Sequence, residues 1–397
     1  MKKKCINDVP DEVLKGKRVL VRVDFNVPLD KERNITDDNR IRASLPTINY
    51  LIDKGARVIL MSHLGRPKGE PNPQFSLDVV AKRLGQLLDK DVAFLPDCIG
   101  EEVKEKVSTL KDGEVVLLEN LRFHKEEKEN DEGFAKELAS LGELYVNDAF
   151  AASHRKHASV VGVAKFLPAY AGFLVAKEID VLSSLLEDPK TPFMAILGGA
   201  KVSDKIGVIK NLMNKVSSIL IGGGMSYTFL KSQGYEIGDS LLEEDKIETA
   251  REILKDAERR GIKILLPLDI VVADRFAEDA NAKVVDAKNI PSGWMGMDIG
   301  PKTIELFQNE LKNAKTVFWN GPLGVFEMEK FSNGTNSIAK FLGELDAITV
   351  IGGGDSASAV RKAGVSDRMT HISTGGGASL EFLEKGTLPG IEVLEDK

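Results

Sequence analysis

The chain of 397 residues has few of the residue types from which disulfide frameworks and metal centres are built. Its two cysteines, Cys5 and Cys98, are isolated, which excludes a disulfide framework in a chain of this length. Among only five histidines, His154 and His157 have the spacing H-x-x-H, but no third ligand of matching type lies nearby in sequence. We therefore favour a structural or substrate-orienting role for this pair over zinc binding.

Long apolar runs and an excess of positive charge are also missing. No uninterrupted apolar segment approaches the ~20 residues that span a bilayer, and no apolar stretch of a secretory signal follows the basic N-terminus. The net charge of -7 at pH 7 argues against nonspecific nucleic-acid binding, which needs a basic surface. We therefore expect a cytoplasmic globular protein with no nucleic-acid or membrane partner. Its length predicts roughly two or three domains.

Short runs rich in Val, Ile and Leu alternate with longer amphipathic segments along most of the chain. The runs are almost continuously hydrophobic, as in parallel strands that helices cover on both faces. This pattern predicts an α/β protein with two doubly wound, Rossmann-like parallel sheets. A helical stretch between Pro168 and Pro192 separates the halves and predicts a connecting helix, although an ordinary surface helix has the same pattern. We expect a first domain at residues 1–170, a connecting helix and hinge at 171–190, and a second domain at 191–379.

In the first half, the predicted strands end in charged and amide side chains. The residues of this set are Asp24, Asn26, Arg40, His63, Arg66, Arg122 and Arg155. Any one of the arginines could be a solvated surface charge, but guanidinium groups at one edge of a sheet suit a small, multiply charged anion. Arg40 lies near a predicted helix start, where its charge opposes the helix dipole, so a purely structural role is disfavoured. The set predicts an anion site.

In the second half, the predicted strands end in glycine, as in residues 197–201, 221–224, 351–355 and 372–377. Glycine-rich turns that open helices suit the phosphates of a nucleotide. The first of these turns is not a P-loop, but we expect its Lys201 and Lys205 to lie one turn apart on the following helix. Asp355, at the lip of another glycine turn, is a candidate Mg²⁺ ligand. On the glycine turns alone, a dinucleotide-binding domain remains an alternative. An anion site in the first half together with a nucleotide site in the second half predicts a two-domain phosphotransferase.

Several longer strings fix the interpretation further. They read R-V-D-F-N-V-P, S-H-L-G-R-P, E-N-L-R-F, G-G-A-K-V, W-N-G-P-L-G-V-F-E, G-G-G-D-S and S-T-G-G-G-A-S-L-E in chain order, over nearly the entire sequence. In type and order they closely resemble the phosphoglycerate kinase family. Ala151 stands where the family often has glycine, and Leu323 where methionine is common, and neither puts the activity in doubt.

The resemblance implies reversible, Mg²⁺-dependent phosphoryl transfer in glycolysis and gluconeogenesis, in which 1,3-bisphosphoglycerate and ADP give 3-phosphoglycerate and ATP. It implies a monomer whose residues 380–397 return to the first domain. The implied glycerate-binding residues are Asp24, Phe25, Asn26, Arg40, His63, Leu64, Gly65, Arg66, Arg122 and Arg155. The implied nucleotide-binding residues are Lys205, Gly296, Asn320, Glu327, Gly353, Gly354, Asp355 and Ser356, with Asp355 as metal ligand. The implied catalytic residues are Arg40, Lys201, Gly375 and Gly376.

The implied reaction agrees with the residue types. Its nucleophile in the ATP-consuming direction is a carboxylate, which is ionised at neutral pH, so no general base is needed. Catalysis then depends on positioning, charge stabilisation and domain closure. A nicotinamide-dependent dehydrogenase would explain the glycine turns but leave the arginines and paired lysines unused. A noncatalytic nucleotide-binding scaffold would bind without turnover.

Overall fold

The computed structural model describes all residues, Met1–Lys397, and the chain forms two compact units. The first unit consists of Met1–Asp180 and Thr387–Lys397, and the second unit consists of Val181–Gly386. Each unit contains a six-stranded sheet in which every pair of neighbouring strands is parallel. The predicted fold class, α/β with two parallel-sheet domains, is confirmed.

The sheet of the first unit has β1 near its centre. Its strands are β1 (Arg18–Arg22), β2 (Arg57–Met61), β3 (Val92–Phe94), β4 (Val115–Leu117), β5 (Leu144–Asn147) and β6 (Ala169–Ala171). Their order across the sheet is β3-β4-β2-β1-β5-β6. Arg22 pairs with Met61 on one side and Asn147 on the other. The carboxyl ends of β1, β2 and β5 are therefore level, and the segments that follow them start from one edge.

Helices of the first unit cover this sheet. They are α1 (Asp11–Leu14), α2 (Asn39–Asp53), α3 (Asp78–Leu88), α4 (Glu101–Ser108), α5 (Lys125–Glu129) and α6 (Glu132–Ala139). Helix α2 buries Ile41, Ile48 and Leu51, which recur on one face and pack in the same core as Val19 and Val21 of β1. Each such side chain contributes about 1.5–3 kcal/mol by leaving water. This packing fixes α2, and with it Arg40, relative to the sheet edge.

Helix α7 (Phe173–Glu187) leads out of the first unit, and the division between the units falls inside it, after Asp180. Its first turn is capped by side chains of the first unit. The Phe173 N–H donates to Thr47 Oγ1 at 3.0 Å, and the Leu174 N–H donates to Asp148 Oδ1 at 3.0 Å. These acceptors satisfy helix N–H groups that have no partner within the helix.

The parallel sheet of the second unit has the order β10-β8-β7-β15-β16-β17. The strands of this unit are β7 (Phe193–Leu197), β8 (Ser218–Ile221), β9 (Glu236–Ile237), β10 (Lys263–Leu265), β11 (Asp269–Ala273), β12 (Ala282–Asp286), β13 (Asn289–Ile290), β14 (Met295–Ile299), β15 (Thr316–Asn320), β16 (Ile348–Gly352) and β17 (His371–Ile372). Its further helices are α8 (Ile206–Leu212), α9 (Met225–Ser232), α10 (Ile247–Arg259), α11 (Pro301–Leu311), α12 (Asn333–Glu344), α13 (Gly354–Lys362) and α14 (Gly376–Lys385). A three-stranded antiparallel sheet, β12-β11-β14, and the pair β13-β9 complete the unit.

The end of the chain lies in the first unit and includes α15 (Pro389–Glu392). The Gly390 N–H donates to Ser153 O at 2.8 Å, and Asn147 Nδ2 donates to Gly390 O at 3.0 Å. Lys3 Nζ forms an ion pair with Asp396 at 2.8 Å. Helix α14 belongs to the second unit, so the returning segment begins at Thr387 rather than at residue 380. None of the helices has the length and apolar character needed to cross a membrane.

Candidate active site

The segment after β1 is tied to Arg40 by one carboxylate. Asp24 Oδ1 accepts the N–H of Asn26 at 3.2 Å, and Asp24 Oδ2 accepts from Arg40 Nη1 at 2.8 Å. Arg40 is the second residue of α2, and its side chain is 42% exposed. Asp24 therefore orients the guanidinium group while leaving much of it open to a ligand.

The segment after β2 is held against the segment after β1. Asn26 Oδ1 accepts the N–H of Gly65 at 2.8 Å. Gly65 has φ +61°, and a Cβ atom there would lie 2.4 Å from the Phe75 ring, so the position requires glycine. The Phe25 and Leu64 side chains are buried in the core. These two predicted ligand residues can therefore offer only their backbone groups.

Arg122 is the most unusual side chain at this edge because it is buried without enough partners. Its Nη1 donates to Gly65 O at 3.1 Å, whereas Nε and Nη2 have no hydrogen-bond partner. Burial, followed by the charges of Arg155 and Arg22, lowers the pKa of Arg122 to about 10. Buried N–H groups of a cation without acceptors cost free energy. An anionic ligand would supply the missing acceptors.

A cavity of about 760 Å³, which we call the basic cavity, opens beside these groups. It is lined by Arg66, Pro67, Lys68, Gly69, Arg122, His124, Lys125, Lys128, Glu129, Arg155 and His157. Three of the predicted arginines therefore meet in one cavity. Burial, followed by the charges of Arg122 and Arg22, lowers the pKa of His157 to about 3, so this imidazole is neutral. Its ring can orient a ligand without adding charge.

Two of these arginines do not lie where the sequence predicted. Arg122 is in a short 3-10 helix (Leu121–Phe123) beyond β4, and Arg155 follows another (Phe150–Ala152) beyond β5. Asn120 Oδ1 caps the first of them by accepting the Arg122 N–H at 3.0 Å. The 3-10 turns return both arginines to the sheet edge. Lys68, Lys125 and Lys128 were missed, because isolated lysines of loops and short helices have no distinguishing sequence pattern.

At the edge of the second sheet, polar side chains join three glycine turns. Lys205 Nζ donates to Asn320 Oδ1, Asn320 Nδ2 donates to Gly352 O at 2.7 Å, and the Gly321 N–H donates to Ser356 Oγ at 2.7 Å. Lys205 is buried, and this burial lowers its pKa to about 8. Its charge is therefore desolvated and poorly compensated, a condition that a phosphate group would relieve.

The prediction that Lys201 and Lys205 lie one turn apart on a helix was wrong. Helix α8 begins only at Ile206, and both lysines lie in the turns before it. The backbone at Gly199 has φ +96°, and residues 202–205 form a bend and turns before the helix begins. Lys201 is exposed next to Ala200, whereas Lys205 is buried. The two lysines therefore have different environments despite their spacing.

Two helices begin side by side at this edge. Gly353, with φ +110°, precedes α13, and Gly375 precedes α14. A Cβ atom on Gly376 would lie 2.5 Å from the Gly353 Cα atom, so the two turns are in close backbone contact. Free N–H groups of both first turns can bind an anion. Asp355, in the first turn of α13, is exposed and can supply a carboxylate oxygen.

Beside these turns lies a cavity of about 530 Å³, which we call the apolar cavity. It is lined by Gly199, Ala200, Gly223, Gly224, Tyr227, Asp239, Leu241, Phe276, Met295, Gly296, Met297, Pro322, Gly324, Val325, Glu327 and Asp355. A Cβ atom at Gly296 would lie 2.2 Å from the Tyr227 ring, so glycine is required there. Leu241 and Phe276 are 61% and 63% exposed. Apolar side chains at the opening of a cavity suit the flat face of a nucleobase.

Comparison with known proteins identifies the family. The family model described as phosphoglycerate kinase matches residues 6–386 of the chain. The chain belongs to the phosphoglycerate kinase family. It is 60% identical to the phosphoglycerate kinase of Dictyoglomus turgidum over 398 aligned positions, which cover 100% of both chains. It is 57% identical to the cytosolic phosphoglycerate kinase of Triticum aestivum, with 99% of each chain covered.

Solved structures of phosphoglycerate kinases have the same fold. The structure from Coxiella burnetii has a TM-score of 0.89 at 40% identity, and the structure from Pyrococcus horikoshii has 0.85 at 34%. Each comparison covers 98% of both chains. The predicted family and the predicted kinase class are therefore confirmed. The roles of individual residues remain predictions.

Proposed function

We propose that the chain catalyses reversible phosphoryl transfer between 1,3-bisphosphoglycerate and ADP, giving 3-phosphoglycerate and ATP. The observation that carries this proposal is Arg122, whose buried Nε and Nη2 have no acceptor in the protein. A phosphate group in the basic cavity would accept from them. Family membership supplies the identity of the phosphorylated substrate and of the second ligand, a nucleotide.

The glycerate substrate binds in the first unit in this proposal. Arg66, Arg122 and Arg155 hold its phosphate in the basic cavity, where guanidinium groups match phosphate geometry. Asp24 and Asn26, at the end of β1, receive the hydroxyl and carboxylate end. Phe25, His63, Leu64 and Gly65 complete the binding site, and Arg40 approaches the reacting carboxylate.

The nucleotide binds in the second unit in this proposal. The apolar cavity takes the nucleoside, with Gly296 and Glu327 in its lining. Lys205 and the turn formed by Gly353, Gly354 and Ser356 bind phosphate oxygens, and Asn320 positions Lys205. Asp355 suits Mg²⁺, which kinases hold through one or two carboxylates plus phosphate oxygens. Mg²⁺ would supply neutralisation of phosphate charge.

The reaction then needs no proton transfer. In the ATP-consuming direction, a carboxylate oxygen of 3-phosphoglycerate attacks the γ-phosphorus of ATP, the bond to the β,γ-bridging oxygen breaks, and ADP leaves. Arg40, Lys201 and the α14 N-terminus at Gly375 and Gly376 stabilise charge on the transferring group. Because each unit binds one ligand, transfer requires domain closure, for which α7 is the proposed hinge.

We further propose that the chain acts as a monomer, because each ligand in this proposal has a complete cavity within a single unit and needs no residue of a second copy. A cytoplasmic location is proposed from the wheat relative, which is named cytosolic. The net charge of -7 supports the absence of a nucleic-acid partner.

A steady-state assay coupled to ADP release tests the proposed function. Purified protein with MgATP should release ADP only when 3-phosphoglycerate is added. Arg122→Met should raise the KM for 3-phosphoglycerate far more than the KM for ATP, because it removes donors to the phosphate. The proposal fails if 3-phosphoglycerate does not stimulate ADP release. Equal effects of Arg122→Met on both KM values would contradict the assignment of the basic cavity.

A further inference from the structure

Arg22 is a fully buried cation at the carboxyl end of a central strand of the first sheet. It is not one of the proposed substrate contacts. It is the last residue of β1, its relative exposure is 0%, and its guanidinium group makes hydrogen bonds on three sides. Nε donates to Ser159 Oγ at 2.8 Å, Nη1 donates to Val23 O, and Nη2 lies 3.0 Å from His63 Nδ1. Each nitrogen of the fork therefore has an acceptor.

A buried carboxylate, Glu127, is connected to this guanidinium group through Ser159. Ser159 Oγ donates to Glu127 Oε2 at 2.6 Å, and the Ser159 N–H donates to Glu127 Oε1 at 2.7 Å. Glu127 and Ser159 are both 0% exposed. Buried charges persist when they are compensated and hydrogen-bonded, and here the serine links the acid to the base. The chain of contacts runs from Glu127 through Ser159 and Arg22 to His63.

This arrangement fixes the tautomer of His63. A guanidinium group has only donors and stays protonated in proteins, so His63 Nδ1 must accept the hydrogen bond from Arg22 Nη2. The hydrogen of the neutral ring is then on Nε2. Burial, followed by the charges of Arg22, Arg122, Arg155 and Arg40, holds the pKa of His63 well below its usual range.

The Nε2 atom of His63 is available to a ligand. The only hydrogen bond of the ring joins Nδ1 to Arg22, and Nε2 has no protein acceptor. Arg122, a residue of the proposed substrate site, donates to Gly65 O at 3.1 Å, two residues after His63. The residual exposure of His63, 6%, leaves room for contact with a bound molecule. A neutral N–H donor among guanidinium groups suits an anionic oxygen.

We propose that Arg22 is a positioning residue that fixes His63 as its Nε2–H tautomer and turns that N–H toward the anionic substrate. The inference rests on the proposed function, because it assigns His63 to the glycerate site. Arg22 itself does not touch the substrate in this proposal, since it is 0% exposed and does not line the basic cavity. Without this anchor, the ring could rotate or place its hydrogen on Nδ1, and the donor would be lost.

Nitrogen NMR of the ligand-free wild-type protein tests the tautomer directly. Histidine ring correlations should show an unprotonated Nδ1 and a protonated Nε2 for His63 from about pH 6 to pH 8. The signals are assigned by their loss in His63→Gln. A protonated Nδ1 overturns the proposal. The measurement does not depend on turnover, so absence of kinase activity would contradict the proposed function and leave this result standing.

A double-mutant cycle tests whether Arg22 acts through His63. Arg22→Lys keeps the buried charge opposite Glu127, but an ammonium group cannot span three acceptors around a planar fork. We expect the KM for 3-phosphoglycerate to rise about tenfold, in the range of a charge-assisted hydrogen bond, with kcat changed less than about threefold. His63→Gln provides an amide donor that has no tautomer. In that background, Arg22→Lys should change KM less than about twofold.

The controls separate positioning from general loss of structure. Arg18→Lys makes the same exchange at the other end of β1, where Arg18 pairs with Glu143 at 3.6 Å, and should leave KM unchanged. Melting temperatures of all variants are measured alongside. A tenfold rise in KM that persists in the His63→Gln background overturns the proposal, because Arg22 would then act independently of the imidazole. If Arg22→Lys fails to fold, the NMR experiment on the wild type still tests the predicted tautomer of His63.

Discussion

The two units have parallel sheets of the same size, but the groups that they offer to an anion at the carboxyl ends of the strands are different. In the first unit the donors are side chains, and Arg122 is buried with two nitrogen atoms unpartnered. In the second unit most donors are backbone N–H groups at glycine turns, such as those before α13 and α14. Guanidinium groups carry permanent charge for a small anion. Backbone turns allow a longer ligand to run from the helix N-termini into an apolar cavity.

The difference determines how each site can be damaged. A site made of side chains loses a defined contact when one of them is truncated. A site made of backbone groups has no side chain to remove, so it is damaged by adding atoms where the chains approach closely. The following predictions use this distinction, from the largest expected effect to the smallest.

Arg40→Ala should lower kcat by about 10³-fold or more, because we propose that Arg40 meets charge mainly in the transition state. The affinity for 3-phosphoglycerate should change much less. Arg40→Lys should restore little, since a point charge cannot replace the planar fork held by Asp24. Steady-state kinetics with both substrates varied measures the effect.

Arg42→Ala is the matched control for Arg40. Arg42 lies on the same helix, is half exposed, and pairs with Asp38 at 2.8 Å. Its loss should leave kcat within about twofold, as for most exposed ion pairs. Near-normal kcat with weakened binding in Arg40→Ala would make Arg40 a binding group and contradict its catalytic role.

Gly376→Ala should weaken MgATP binding by about 30-fold, because its Cβ atom would lie 2.5 Å from the Gly353 backbone. Neither backbone can yield without moving a helix N-terminus, and overpacking of this kind costs about 1–3 kcal/mol. Gly354→Ala is the comparison, since a Cβ atom there meets nothing within 4 Å and should cost much less. Calorimetry measures both affinities, and equal losses would show that steric contact is not the cause.

Asp355→Asn should weaken MgATP binding by about tenfold while leaving 3-phosphoglycerate affinity nearly intact. The amide keeps the shape of the side chain but loses the charge that suits Mg²⁺. The affinity for metal-free ATP should be almost unchanged. This comparison separates loss of metal binding from loss of nucleotide contact. Equal losses for both substrates would contradict the assignment of Asp355 to the metal.

MgATP affinity should fall about fivefold between pH 7 and pH 9, because the pKa of Lys205 is lowered to about 8. Lys205 is charged below that pH and neutral above it, and phosphate favours the charged form. Binding near pH 8 should therefore take up protons, which calorimetry in two buffers of different ionisation enthalpy detects. Lys205→Met should remove the uptake. If proton uptake persists in this variant, a group other than Lys205 is responsible for it.

Features that depend on residues close together in sequence could be predicted from the sequence. The strand ends with Asp24, His63 and Arg66 were identifiable because a hydrophobic strand and its first polar residues are local features. The positions of Lys201 and Lys205 were misjudged, because the bend and turns at residues 202–205 that precede α8 are not evident from residue spacing.

Features that depend on distant residues were not identifiable from sequence. Arg22 was taken as part of a strand motif, because its partners Ser159 and Glu127 are far away in the chain. Leu241 and Phe276 were missed, since single apolar residues in loops have no periodicity. Tertiary contacts, which local patterns do not encode, give these residues their environment.

The return of the chain end determines when the first unit can be completed during synthesis. Asn147 and Ser153, which flank the turn leading to Arg155, are hydrogen-bonded to Gly390, which follows the whole second unit in sequence. The second unit, Val181–Gly386, is continuous and has emerged in full before that residue is made. Domains usually complete their folding in the order in which they are translated. Here the first unit is begun first but completed last. A nascent chain can therefore form the glycine turns of the second unit before the basic cavity of the first unit is complete.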